Sequence, residues 1–162
     1  MLDTLIFIAV LLLSFIGMEA VAVYTHKYVM HGFLWSLHKS HHRPRTGIFE
    51  LNDLFAFYFA LPSILLIYLG VNFYPLLLPI GAGMTAYGLC YFGFHDGIVH
   101  RRLPLRYRGN NPYMKRIIQA HYVHHATTSK EGAVSFGFLY TKPVAELDAE
   151  RRRLLELNTN QA

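Results

Sequence analysis

Polar and apolar positions are segregated along this chain. From Leu5 to Tyr24 the stretch LIFIAVLLLSFIGMEAVAVY carries one charge, Glu19. At 1.5 Å per residue such a stretch crosses a hydrocarbon core of about 30 Å. From Leu54 to Phe94 there is no Asp, Glu, Lys, Arg or His, and GVNFYP (Gly70 to Pro75) interrupts the run with the Gly, Asn and Pro of a tight turn. The pattern predicts an all-α, multi-pass membrane helical bundle with spans over about 4–25, 53–70 and 75–95, the last two forming a hairpin. A fourth crossing requires residues 33–37 or 136–140 to dip into the bilayer. A signal peptide is the competing reading of the first run. No Lys or Arg precedes that run and no small-x-small cleavage site follows it, so it is expected to stay in place. The tail 143–162 contains PVAELDAERRRLLELN, whose charged and apolar residues alternate at helical spacing; an amphipathic helix lying on the membrane or on the domain is expected there.

Composition agrees with one integral-membrane domain over residues 1–162: hydrophobic residues make up 53% of the chain, more than in a typical soluble domain. Charge adds an orientation. Every Lys and Arg lies at Lys27 or later and none falls in the Gly70 to Pro75 turn, so all basic residues collect at one end of the spans. By the positive-inside rule that end is cytoplasmic, with Lys27 to Asp53 and everything after His95 on it. The single cysteine, Cys90, excludes disulfides, thiolate zinc sites and iron–sulfur clusters on ligand count. Anionic lipid headgroups are the natural partners of the basic end, and no nucleic-acid partner is expected.

All ten histidines fall at that same end. His26 and His31 (HKYVMH) follow the first span and His95 and His100 (HDGIVH) the third. Each pair is followed by His-x-x-His-His: His38, His41 and His42 in HKSHH, then His121, His124 and His125 in HYVHH. The clusters thus occupy residues 26–42 and 95–125, a histidine-rich helical cap on the spans. On a helix, positions i, i+3 and i+4 fall within about 100° of arc, so the three imidazoles of each His-x-x-His-His share a face and are expected to converge. Gly32 and Pro44 bracket the first helix; Asn111 as N-cap and Pro112 at the first helical position start the second. The i, i+5 pairs lie about 140° apart on an ideal helix, so they address different ions or need a local distortion.

One histidine on an apolar face is more often a satisfied core residue than a ligand. Ten of ten in four phased clusters at one membrane face read instead as a di-metal site. A closed structural zinc site would leave most of them idle. A zinc hydrolase would carry His-Glu-x-x-His, which is absent. Membrane haems take axial histidines inside the bilayer, whereas these lie beyond the apolar runs. Non-haem iron remains, with up to five imidazoles per ion and a position open to oxygen. A non-catalytic metal carrier is the alternative from another class, but Glu19 is the only ionisable group well inside the spans.

HKYVMH, HKSHH, HDGIVH and HYVHH, together with IGAGMTAYGL and EGAVSFGFLY, resemble the bacterial β-carotene hydroxylases, within the larger membrane fatty-acid hydroxylase and sterol desaturase superfamily. The resemblance runs from about Ile16 to Tyr140 and includes all ten histidines. It implies a bacterial inner-membrane enzyme that uses two iron ions, O2 and two electrons to hydroxylate carbon 3 of a β-ionone ring, at both ends of β-carotene. Ferredoxin with its reductase is the implied electron donor, since the chain has no dinucleotide fingerprint or flavin motif of its own. A desaturase, fatty-acid hydroxylase or carotenoid ketolase with the same metal site stays open, because the histidines set the chemistry and the pocket sets the substrate.

Around this centre the sequence offers weaker candidates. Asp96, Asn52 and Asp53 are placed to hydrogen-bond the outer ring nitrogens of ligating imidazoles, or to cap helices at the membrane edge. Tyr87, Tyr91, Phe92 and Phe94 are candidates to line a pocket for a ring arriving from the lipid, or to form an interfacial aromatic belt. Arg101, Arg102, Arg106, Arg108, Lys115 and Arg116 form a basic surface for an acidic electron donor or for lipid headgroups. Glu19 is expected to make a buried polar contact between helices.

Overall fold

The computed structural model describes residues 2–44, 47–104, 107 and 109–160. All regular structure among them is helical. Three helices are long and apolar enough to cross a membrane: Asp3–Phe33, Leu51–Asn72 and Leu77–Val99. The first has 31 residues, about 46 Å of helix, so roughly a third of it extends past a 30 Å hydrocarbon core. That overhang carries His26 and His31.

α4 (Leu77–Tyr91) sits between α1 (Leu2–Tyr24) and α3 (Leu54–Asn72) and packs on both. Two glycines of IGAGMTAYGL make this close packing possible. A Cβ on Gly81 would lie 2.9 Å from the Ser63 carbonyl oxygen on α3, and one on Gly83 would lie 2.8 Å from Ser14 Cβ on α1. Small residues bring helix backbones together where no hydrophobic effect drives association. Hydroxyls supply the polar links: Ser14 donates to the Ile80 carbonyl at 2.9 Å and Ser63 to the Gly81 carbonyl at 3.0 Å. The outward faces, including Leu13 and Ile16 on α1 and Leu61 and Ile64 on α3, are apolar and exposed, as lipid contact requires. The hairpin turn is shorter than the Gly70 to Pro75 expectation. α3 continues to Asn72, and Gly70 is helical, its missing side chain making room for the Leu78 backbone.

At the same end of the bundle, α1 runs directly into a π-helical segment, Thr25–Phe33, and α4 into another, Phe92–Val99. The first His-x-x-His-His departs from expectation. α2 (Trp35–His38) is a single turn, after which His41 and His42 lie in successive tight turns, with the His41 amide on the His38 carbonyl at 2.9 Å. The second follows the expected chemistry in α5 (Pro112–His125): Pro112 opens the helix and Asn111 Oδ1 accepts the Met114 amide at 2.8 Å. α6 (Val144–Thr159) lies on α5, where Leu147 packs with Ala120 and Val134, so the tail helix rests on the domain. Between α5 and α6 the chain runs back toward the spans as an irregular segment, Phe136 to Tyr140, which meets Glu19.

Candidate metal centre

The ten histidines form two groups of five: His26, His31, His38, His42 and His124, and His41, His95, His100, His121 and His125. Within each group, one nitrogen per ring lies within 4.8 Å of all the others. The i, i+5 pairs reach one group through the distortion the spacing demanded. In a π-helix the hydrogen bonds run from i to i+5, which stacks residues five apart on one face; the His100 amide donates to the His95 carbonyl in this way at 2.9 Å. The triads do not converge as units. His38 and His42 enter the first group while His41 enters the second, and in α5 His121 and His125 enter the second while His124 enters the first. An arc of 100° is wide enough to face two centres, so the motifs interlock. His42 and His125, from different groups, stack with ring centroids 4.4 Å apart.

The residues fit a pair of metal ions. In the first group every Nδ1 faces an oxygen: His26 the Phe136 carbonyl at 3.1 Å, His31 that of Lys130 at 3.0 Å, His42 that of Thr127 at 2.8 Å, His124 that of Val134 at 2.8 Å, and His38 the Asn52 side-chain oxygen at 2.7 Å. An N–H donating outward leaves Nε2 as a bare lone pair pointing inward. Neighbouring Nε2 atoms are then 3.1 Å apart for His26 and His38 and 3.1 Å for His31 and His42, with no proton to share. Opposed lone pairs in a buried site call for a cation. Ligands at right angles around one ion with metal–nitrogen bonds of about 2.0–2.1 Å lie roughly 2.9 Å apart, close to these spacings. In the second group His125 Nε2 is buried with no hydrogen-bond partner at all, which a metal would also explain. Burial pushes His38 down to about 3, His42 to about 4 and His100 to about 3, and His41, His121, His124 and His125 move the same way. Neighbouring imidazoles add to each shift, so these rings are neutral and ready to ligate at physiological pH.

Behind the second group stand carboxylates. Asp96 meets His95 Nδ1 at 3.2 Å, and Glu50, which the sequence did not single out, meets His41 Nδ1 at 3.3 Å. Asp53 touches no imidazole; it accepts from Arg102 at 2.6 Å and from the Glu50 amide at 2.9 Å. Arg102 therefore turns inward and drops out of the expected basic docking surface. Arg101 and Lys115 are exposed, and Arg106 and Arg108 lie outside the described residues. Ser135 is a further residue that sequence gave no sign of. Its φ of 61° is left-handed, and its two neighbours, Val134 and Phe136, turn their carbonyls onto His124 and His26.

A cavity touches both groups. His26 from one and His95 and His121 from the other line it, with Tyr91, Phe94, Ile117 and the segment Phe136 to Phe138. Its free volume is about 10 Å³, room for roughly one water. Tyr91 stacks on His95 at 4.6 Å, and Phe138 packs on Phe94 at 5.2 Å. Of the other two expected pocket residues, Tyr87 gives its hydroxyl to Glu19 at 2.7 Å, and Phe92 is half exposed and lines no part of the cavity. Glu19 does more than join two helices: its other oxygen accepts the amides of Phe138 and Leu139, both at 2.8 Å, and of Tyr140 at 3.3 Å.

Comparison with known proteins places this centre. The fatty acid hydroxylase family profile matches residues 11–142, most of the chain and all ten histidines. The chain belongs to the fatty acid hydroxylase family. Among the relatives of this chain, "Beta-carotene hydroxylase" of Pantoea ananas is 56% identical over 144 residues, 88% of this chain and 82% of that protein. A protein of the same name from Paracoccus sp. (strain PC1) is 44% identical over 84% of this chain and 85% of its own length. "Beta-carotene 3-hydroxylase 2, chloroplastic" of Arabidopsis thaliana is 40% identical over 88% of this chain and 48% of its own. No solved structure gives a significant match.

Proposed function

We propose that this chain is a membrane-bound β-carotene 3-hydroxylase that holds two iron ions in its two histidine groups and converts β-carotene to zeaxanthin by way of β-cryptoxanthin. The observation that carries the reading is the pair of five-histidine groups, each with one nitrogen per ring within 4.8 Å of all the others, set at the ends of apolar spans. The water-sized cavity that touches both groups is walled by Tyr91, Phe94 and Phe138, and these aromatics must part to admit a ring beside the metal positions; relatives that are 44–56% identical are named for β-carotene hydroxylation. At each ring one O2, two electrons and two protons are consumed; one oxygen atom enters the C–H bond at carbon 3 and the other leaves as water. Iron, when bound, supplies the activation of O2 that an unactivated C–H bond demands.

The chain's own residues set the conditions for that chemistry. Outward Nδ1 donation keeps the inward nitrogens free of protons. Burial of the histidine layer keeps water from competing. The aromatic wall orients the ring, and a carotenoid stays in the lipid, so entry is lateral, at the ends of α1 and α4. Electrons come from a separate ferredoxin-type donor with its reductase. The histidine layer and the C-terminal helix face the cytoplasm in a bacterial inner membrane, because the basic residues lie at that end of the spans.

The deciding experiment is pigment analysis of a β-carotene-producing bacterium that expresses the full chain, with metal content measured on the purified protein. β-Cryptoxanthin followed by zeaxanthin is expected, with two irons per chain. Unaltered β-carotene alongside abundant, iron-loaded protein would reject the substrate, and keto or desaturated products would move the chain to another branch of the superfamily.

A further inference from the structure

The two histidine groups differ in what stands behind them. In the first, the five outward ring nitrogens face four backbone carbonyls and one neutral amide oxygen. Glu131 acts on His31 only through space and is itself exposed. In the second, two carboxylates each use one oxygen on an imidazole and the other on a single guanidinium. Glu50 Oε2 meets His41 Nδ1 at 3.3 Å while its Oε1 is 3.4 Å from Arg102 Nη2; Asp96 Oδ2 meets His95 Nδ1 at 3.2 Å while its Oδ1 is 3.1 Å from Arg102 Nη1. Asp53 completes the set at 2.6 Å from the same Nη1 and fixes the Glu50 backbone with its second oxygen. The side chains of Glu50, Asp96 and Arg102 are only 11–13% exposed.

We propose that this Glu50–Arg102–Asp96 clamp makes the two metal positions unequal, so that the second group retains its ion when the first has lost it. The inference rests on the reading that both groups hold metal. A divalent cation among five neutral imidazoles brings two positive charges into a poorly solvated site, where uncompensated charge is unfavourable. Three carboxylates and one guanidinium place a net charge of −2 behind the second group, equal and opposite to the ion; no charged acceptor stands behind the first. The carboxylates also make His41 and His95 stronger donors by drawing on their Nδ1 protons. Arg102 has a positioning role: anchored to Asp53 by a hydrogen bond from Nη1, it lies within ion-pair distance of both Glu50 and Asp96 and draws the two acids together beside their imidazoles.

The test is retention of iron by the purified full-length chain under graded chelator, read as metal per chain. The parent is expected to lose metal in two steps. Two backgrounds then separate the groups: His38→Ala disables the first and His100→Ala the second. Glu50→Gln or Asp96→Asn, each nearly isosteric, should weaken retention about 10- to 100-fold in the His38→Ala background and leave the His100→Ala background unchanged. Arg102→Gln should follow the same pattern, with only partial recovery in Arg102→Lys. Loss of both ions in a single step, or equal effects in the two backgrounds, would overturn the inference while leaving the proposed function standing. A parent chain that binds no iron would overturn both.

Discussion

Replacing Glu19 by Ala removes the acceptor of four hydrogen bonds, from the Tyr87 hydroxyl and from the amides of Phe138, Leu139 and Tyr140. The Phe138 and Leu139 amides are part-buried in an irregular segment that runs back along the spans, where backbone donors have little access to water, whereas that of Tyr140 is exposed. Each buried donor left without a partner costs about 1–3 kcal/mol, so the Phe138 and Leu139 amides put the loss at about 2 kcal/mol even at the low end. That is a change of roughly 30-fold in how often the segment holds its place. The consequences fall on the cavity, because Phe138 packs on Tyr91 and Phe94, and on the first metal group, because the Phe136 carbonyl faces His26. Zeaxanthin should fall at least tenfold in Glu19→Ala, with β-cryptoxanthin making up a larger share of what remains. Glu19→Gln should stay near the parent, since its amide oxygen accepts the same backbone donors and its NH2 can donate to Tyr87. The assay is carotenoid composition per unit of membrane protein. Removing a carboxyl from α1 favours insertion, so poor insertion would not account for a loss of activity. Parent-level zeaxanthin from Glu19→Ala at equal protein would show that the segment does not depend on this carboxyl group.

Other expectations follow from the same geometry. His41→Ala and His124→Ala should each abolish hydroxylation and remove one of two ions, His41 from the second group and His124 from the first; near-normal iron and turnover in either would reject that assignment. Ser135→Val should lose first-group iron, because a β-branched residue at φ 61° is strained by about 1–2 kcal/mol or more, whereas Ser135→Gly should keep it; equal retention in the two would remove the strain argument. Tyr91→Ala or Phe138→Ala should raise the ratio of β-cryptoxanthin to zeaxanthin with iron unchanged, on the scale of about 1–3 kcal/mol, and unchanged ratios in both would put the ring elsewhere. Cysteine labelling on a Cys90→Ser background should find Phe73 to Leu76 on the opposite side of the membrane from Lys39; labelling of both from one side would reject the three-span arrangement.

The spans were legible because lipid imposes a one-dimensional rule: an uninterrupted apolar run of sufficient length, with charge collected at one end, needs no tertiary information to be read. The histidines were legible for a related reason, since ten imidazoles in repeated spacings exceed what packing calls for. Their partition was not. Whether His26 and His31 face one ion depends on whether the helix keeps i to i+4 bonds or shifts to i to i+5, and nothing in HKYVMH announces that shift. Likewise 100° of arc is compatible with three ligands for one ion or with two for one and one for its neighbour, and only the position of the opposing cluster decides.

The supporting residues divide along the same line. Asn52 and Asp96 could be named because they sit beside histidines or at the start of a span, where short polar side chains have local work to do. Glu50 looked like one more polar residue on a connecting segment. It acquires meaning only when Arg102, fifty-two positions later, turns inward to share it with Asp96. Glu19 was conspicuous as the lone charge in its span, but the partners that explain it are backbone amides more than a hundred residues away, donors that every residue except proline carries and that no side-chain pattern can flag. Backbone acceptors carry the same limitation: four of the five imidazoles in the first group are oriented by carbonyls, so the chemistry of that group is set largely by the path of the chain between Thr127 and Phe136. Substitutions along that stretch should therefore act through φ and ψ more than through side-chain chemistry, which is why Ser135 is a more informative position to vary than its modest side chain would suggest.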